Sequence, residues 1–246
     1  MRNVTGLLLG ILLPAALLQS EGAAVKAPVL LELFTSEGCS SCPPADRLLE
    51  KLDREQPIAG AEVVVLSEHV DYWNHLGWSD PFSSPLYSTR QRDYANRLDG
   101  QTYTPELVVD GVKGFVGSDA REAERAVKDA ARQGKAAIRV TAERNDKKGH
   151  VVIHLDPSET LKPGAVVYLA LAHDAMKSQV SAGENAGRGL THVAVAYSIE
   201  KVGKVDGKVW EFDKTVDLKA GEKTRVIAFV SQSGTGRVIA LGQTRL

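Results

Sequence analysis

The sequence predicts an α/β domain followed by an all-β antiparallel sandwich, with the change near Gly134. Three observations carry this prediction. Before Gly134, continuous apolar runs at residues 29–34 and 62–67 alternate with stretches whose apolar residues recur at helical spacing. After it, short segments alternate apolar and polar residues in the β manner, separated by polar turns. The chain, at 246 residues, is long enough for one large domain or two ordinary ones.

Residues 1–24 belong to neither domain. Arg2 precedes an apolar run at residues 7–18, and small residues follow at Ser20, Gly22, Ala23 and Ala24. This is the pattern of a secretory signal peptide cleaved after Gly22 or Ala24. The run is shorter than the roughly 20 residues that span a bilayer, so no stable membrane insertion is expected after cleavage. The expected location is secreted or periplasmic.

Residues 29–34, apolar except for Glu32, read as a strand covered on both faces. Pro43 and Pro44 suit a helix's first turn, where a missing N–H costs nothing, and residues 45–52 continue it. Residues 62–67 give a second buried strand, so strand, helix and strand make a βαβ unit with parallel pairing. Residues 88–98 read as a helix with Tyr94 and Leu98 on one face. A strand follows Thr104-Pro105, Asp110-Gly111 signals a hairpin, and residues 112–116 return. Ser118 is the expected N-cap of a helix over residues 120–132 that buries Ala123, Ala126, Val127 and Ala130. Strands are expected at residues 137–142, 151–155, 165–172, 191–201, 209–216, 225–231 and 238–243. The division is therefore 25–134, with an aromatic and histidine-rich insertion at 68–100, and 135–246.

Lys and Arg number 30 against 31 Asp and Glu, a formal net charge of −1. Nucleic-acid binders concentrate positive charge against phosphates, so that class is excluded as a partner. The chemistry concentrates elsewhere. Cys39-Ser40-Ser41-Cys42-Pro43 holds the two cysteines of the chain, after the first strand and at the start of the first helix. Helix N-terminal N–H groups stabilise a thiolate there. A C-x-x-C bridge closes a tiny loop and makes a weak staple, which favours thiol–disulfide exchange without a cofactor. Two alternatives stay open. An oxidising compartment also permits a structural disulfide. Two thiolates and His69 could hold copper or zinc, with His75 and Asp71 as further donors at irregular spacing.

Residues 68–82 hold two of the three tryptophans. Tyr72, Trp73, Trp78 and Phe82 either line a substrate groove beside the thiols or pack the insertion onto its domain. Residues 183–189, glycine-rich with Glu184, Asn185 and Arg188, form either a docking loop between the two halves or a binding loop.

The order of strand, C-x-x-C, helix, strand, Thr104-Pro105, hairpin and helix resembles the thioredoxin superfamily. Within it, residues 31–46, His69-Val70-Asp71-Tyr72-Trp73-Asn74, residues 77–82, Tyr103-Thr104-Pro105 and Val108-Val109-Asp110-Gly111 resemble a bacterial family of secreted thioredoxin-like proteins carrying a domain of unknown function. The resemblance extends over residues 183–188 as well. It implies a thioredoxin-like α/β domain, Cys39 as attacking thiol, Cys42 as resolving thiol, and Pro105 after Thr104 as a cis-proline whose exposed edge pairs with an extended substrate. A trans-proline starting an edge strand is the alternative. Gly38 stands where thioredoxins carry an aromatic residue, and Ser40-Ser41 replaces their Gly-Pro. Glu32 is either a buried acid that takes a proton from Cys42 or an outward-facing strand residue. His69 is expected beside the cysteines, acting on the thiolate.

The expected function is a secreted thiol–disulfide oxidoreductase acting on exported protein thiols and disulfides or with an envelope redox partner. A non-enzymatic envelope binding module and a copper or zinc binder are the alternatives.

Overall fold

β1 (Ala27–Thr35), α1 (Pro43–Glu55) and β2 (Ala61–His69) form a βαβ unit in which β1 and β2 pair in parallel, from Ala27 opposite Ala61 to Thr35 opposite His69. The computed structural model describes residues 26–98, 100–219 and 223–246, so the signal peptide expected over 1–24 lies outside the described residues. β1 is buried from Val29 onward, which is why its apolar run shows no alternation. α1 opens on Pro43 and Pro44 and ends where Gln56 turns left-handed and its N–H bonds the Leu52 carbonyl.

α2 (Pro85–Ala95) begins earlier than residues 88–98, because the Ser84 hydroxyl accepts the Leu86 N–H and Pro85 sets the first turn. β3 (Glu106–Val109) pairs antiparallel with both β1 and β4 (Lys113–Val116). Asp110 and Gly111 take the positive φ values, +47° and +71°, that the turn between them requires. α3 (Ala120–Ala131) is capped by Asp119 rather than Ser118. The Asp119 carboxylate accepts the N–H groups of Arg121 and Glu122.

Seven further strands follow: β5 (Ile138–Asn145), β6 (Lys148–Leu155), β7 (Val166–Gln179), β8 (Gly189–Lys204), β9 (Trp210–Asp217), β10 (Thr224–Ser231) and β11 (Val238–Arg245). They do not build the sandwich the sequence predicts. An eight-stranded mixed sheet runs in the order β11-β10-β7-β8-β2-β1-β3-β4, and β5-β6-β9 make a separate three-stranded sheet. The expected thioredoxin-like α/β domain followed by an all-β antiparallel sandwich is therefore overturned.

The join is β8 lying parallel against β2, with Val195 opposite Ser67. Its physical basis is the row of small residues along β7 and β8. Ala170, Ala172, Ala194 and Ala196 pack in one core with Val29, Leu31, Val63 and Val65, and with Leu49 and Val127 of the helices. On the opposite face, Val151, Ile153 and Phe212 of the small sheet cover Leu169, Leu171, Val226 and Ala228. Period-2 alternation marks a strand and its buried face, but it does not name the strand's neighbour.

Candidate functional site

The chain leaves β1 at Thr35 and turns into Cys39, and Cys42 occupies the N-cap position of α1 with no side-chain cap bond. The N–H groups of Ala45 and Asp46 reach the Cys42 carbonyl at 2.8 and 3.1 Å. Cys39 and Cys42 are joined as a disulfide, their Cα atoms 5.4 Å apart. Both cysteines are 0% exposed, whereas Ser40 and Ser41 between them face solvent. Ser41 Oγ lies 3.3 Å from Cys39 Sγ and 3.5 Å from the Thr104 carbonyl.

The Thr104–Pro105 peptide bond is cis. Trp73 Nε1 donates to Thr104 Oγ1 at 2.8 Å, and the Gly117 N–H donates to the Pro105 carbonyl at 2.9 Å. Gly117 packs tightly behind this peptide bond: a Cβ there would stand 2.8 Å from Leu33 Cδ1 and 3.3 Å from Pro105 Cβ, so a neighbour would have to shift.

A buried set of charged groups lies on the α1 face of the sheet. The Glu37 carboxylate accepts from Trp78 Nε1 at 2.8 Å and from Ser178 Oγ, and lies 3.2 Å from His192 Nε2. Asp46, one helical turn beyond Cys42, accepts from Thr35 Oγ1 at 3.0 Å and lies 3.7 Å from His192 Nδ1. Asp80 accepts the Glu37 N–H at 2.8 Å and lies 2.7 Å from His69 Nδ1. Burial pushes the Glu37 carboxyl upward, but its bonds with His192 and Ser178 outweigh that and hold it below the usual carboxylate range. Burial likewise opposes ionisation of Asp80, and the nearby His69 more than offsets it. Burial disfavours an imidazolium at His192, yet Asp46 and Glu37 raise its pKa to about 9. The site thus holds ionised groups of both signs out of water.

His69 reaches the cysteine loop through Asp80. Its ring packs edge-on against His192 and Phe82, with centroids 4.7 and 5.4 Å away. Trp78 and Trp73 hydrogen-bond Glu37 and Thr104, and Tyr72 donates its hydroxyl to Gln91 at 3.1 Å. The two tryptophans thus tie the insertion to the site, while Tyr72 bonds within the insertion and is the most exposed of the four aromatic residues at 36%. Glu32 is buried but faces away from α1: Arg90 Nε binds it at 2.7 Å, and the Tyr94 hydroxyl donates to it from α2. Among the described residues no group of three or more His, Cys, Asp and Glu has the geometry to hold a metal ion. His75 is exposed, and Asp71 is held by the Ser88 hydroxyl.

Sequence reasoning did not identify Glu37, Asp46, Asp80, Ser178 or His192 as site residues. The one signal for the second half's contribution was the glycine-rich segment 183–189. It lies in the turn between β7 and β8, and it docks on the cysteine loop itself. Asn185, wholly buried, donates its amide to the carbonyls of Glu37 and Cys39 at 2.8 and 2.9 Å. Glu184 accepts the Ser40 N–H at 3.0 Å, and hydrogen bonding to the Ser40 side chain, with this backbone bond, holds its carboxyl below the ordinary range.

A profile for a family described as a protein of unknown function (DUF1223) matches residues 30–231. No curated protein matches the chain. Among solved structures, the chain is similar to the crystal structure of a protein from Agrobacterium tumefaciens. The two are 28% identical with a TM-score of 0.63, over 89% of this chain and 93% of that one. A hypothetical protein from Pyrococcus horikoshii OT3 is 9% identical, with a TM-score of 0.24 over 47% of this chain and 90% of that one. A superoxide reductase in its oxidised state is 10% identical, with a TM-score of 0.25 over the same shares, 47% and 90%. Scores that low carry no argument about this protein.

Proposed function

The chain belongs to the DUF1223 family of proteins of unknown function, and we propose that it is a thiol–disulfide oxidoreductase acting on exported proteins through Cys39 and Cys42. The observation that carries this reading is where the disulfide sits. It brackets two residues at the N-terminus of α1, and one of them, Ser41, puts its Oγ 3.5 Å from the Thr104 carbonyl. A bridge that short constrains the unfolded chain little, so stability is a weak reason for its presence. The α1 N–H groups favour a thiolate at the same place. The motif order shared with thioredoxin-superfamily proteins, C-x-x-C after a strand and Thr-Pro before a hairpin, supports the same chemistry.

In the oxidising direction, a partner thiolate attacks Cys39 Sγ. The Cys39–Cys42 bond breaks, and its electron pair leaves on Cys42 Sγ, which takes up a proton. A mixed disulfide now joins Cys39 to the partner. A second partner thiolate attacks the partner's sulfur in that bond and releases Cys39 as thiolate. The partner dithiol has become a disulfide, and the protein's disulfide has become two reduced cysteines. Run backwards, the same steps reduce a partner disulfide. Thr104 and Pro105 form the edge on which an extended partner segment would lie. His192, held cationic between Asp46 and Glu37 in the same buried cluster, is the group suited to supply its proton.

A disulfide fits an oxidising compartment such as the periplasm or the exterior. No helix among the described residues is long and apolar enough to cross a membrane. One observation favours a non-enzymatic envelope binding module instead: neither cysteine has exposed surface, and buried cysteines are usually inert.

A peptide dithiol assay separates the two readings. The oxidised protein is expected to oxidise the peptide dithiol, reduced Cys42→Ser to trap a mixed disulfide on Cys39 when given the peptide in its disulfide form, and Cys39→Ser to do neither. Peptide oxidation no faster than with Cys39→Ser would leave the binding module as the better reading.

A further inference from the structure

The cysteines of an exchanging disulfide must meet a partner, yet Cys39 and Cys42 are fully covered. Against the backbone of that cysteine loop docks the turn between β7 and β8, residues 180–188. Its base is closed by the strand-like bonds of Val180 N–H to the Arg188 carbonyl and Gly187 N–H to the Val180 carbonyl, at 3.0 and 2.8 Å. Val180 is buried and fixes that base to the protein.

The tip differs from the base. Between Ser181 and Arg188, Asn185 is the one buried residue, and no apolar side chain of the tip enters the core. The tip is held mainly by polar contacts. Asn185 donates to the Glu37 and Cys39 carbonyls, and Glu184 accepts from the Ser40 N–H. Arg188 Nη1 steadies Asn185 by donating to its Oδ1 at 2.6 Å. Gly183 and Gly187, at φ +73° and +80°, frame the tip with backbone that side-chain-bearing residues rarely adopt. A segment held by a few hydrogen bonds without apolar burial opens at a small fraction of the global unfolding cost.

We infer that residues 181–186 are a displaceable cover over the Cys39–Cys42 disulfide, latched by Glu184 and Asn185, so that a thiol reaches Cys39 only after the latch releases. This rests on the exchange reading of that pair. The bonds of the latch also describe what displaces it. Opening frees one N–H, at Ser40, and two carbonyls, at Glu37 and Cys39. That alternation of donor and acceptor is the kind an extended peptide backbone satisfies. A protein thiol carried on an extended segment therefore replaces what the cover surrenders, whereas a small thiol does not.

The test is the rate at which excess dithiothreitol reduces the oxidised full-length protein, read by trapping free thiols with a mass tag. Glu184→Ala and Asn185→Ala are compared with the parent. Loss of one or two latch bonds is expected to raise the open population, and with it the rate, by a factor of roughly 5 to 30. Glu184 is exposed, so its variant keeps the test meaningful if Asn185→Ala does not fold. A folded Glu184→Ala protein reduced at the parent's rate would overturn the cover. Failure of the oxidoreductase reading shows separately, as inactivity toward the peptide dithiol, and leaves these rates fully interpretable.

Discussion

The side-chain amide of Asn185 donates to the backbone carbonyl of Cys39 at 2.9 Å, across 146 positions of the sequence. The loop carrying the Cys39–Cys42 disulfide is thus completed by the far half of the chain. Ser178 and His192, on β7 and β8, reach the same loop through Glu37.

A chain ending at Gly134 is expected not to fold on its own. It would leave β2 as a bare sheet edge and strip Glu37 of two of its side-chain partners, Ser178 and His192. Urea denaturation followed by far-UV circular dichroism checks this. The expected curve has no cooperative transition, and a sharp transition in the fragment would show that residues 25–134 are autonomous.

His192 makes stability depend on pH. Its pKa rises from 6.5 to about 9 on folding, against the cost of burial, because Asp46 and Glu37 flank the ring. A group whose pKa is raised by folding contributes fully below its unfolded value and loses that contribution as pH climbs through the folded one. Unfolding free energy is therefore expected to fall between pH 6.5 and about 9. His192→Gln should lose roughly 3 kcal/mol at low pH and show a flatter slope across the window. Urea midpoints measured across that window would refute the assignment if parent and variant ran parallel.

The Glu32 cluster is expected to matter for stability and not for sulfur chemistry. Arg90 binds Glu32 and lies 3.5 Å from Glu68, whose carboxyl burial pushes well above its usual range. Arg90→Met should cost about 3–5 kcal/mol by leaving Glu32 unpaired in the interior. Glu68→Gln, which mimics the protonated acid, should stay within about 1 kcal/mol of the parent. Neither should alter the rate of thiol exchange per folded molecule. An exchange defect in Glu32→Gln at full folding would instead make Glu32 a proton acceptor for Cys42.

Gly117→Ala probes the packing behind the cis peptide bond. The new methyl would meet Leu33, Ala45 and Pro105 at 2.8 to 3.3 Å, so a loss of about 1–3 kcal/mol is expected. Thermal unfolding measures it, and an unchanged midpoint would mean that this corner relaxes freely.

Much of the local structure was legible in the sequence. The two-sided apolar run of β1, the prolines opening α1 and the Asp110-Gly111 turn each specify their element through short-range chemistry. The expectation that Thr104-Pro105 lies beside the cysteines came from the thioredoxin resemblance, and Ser41 Oγ lies 3.5 Å from the Thr104 carbonyl. What the chain does not spell out is which strand neighbours which. Nothing in the alternation of β8 says that Val195 lies opposite Ser67. His192 and Asn185 were unreadable as site residues for the same reason, since their roles arise only when the β7–β8 hairpin lies over α1 and the cysteine loop. Glu32 stays open between two readings in the sequence because its nearness to Cys39 says nothing about which face of β1 it occupies.

The measurement that bears most directly on the central claim is the reduction potential of the Cys39–Cys42 pair, obtained by equilibrating the mature protein in glutathione buffers and trapping free thiols. A working exchange site is expected between roughly −120 and −270 mV, the span of known thiol–disulfide catalysts. A value well below about −300 mV would mark a structural disulfide and contradict the oxidoreductase account.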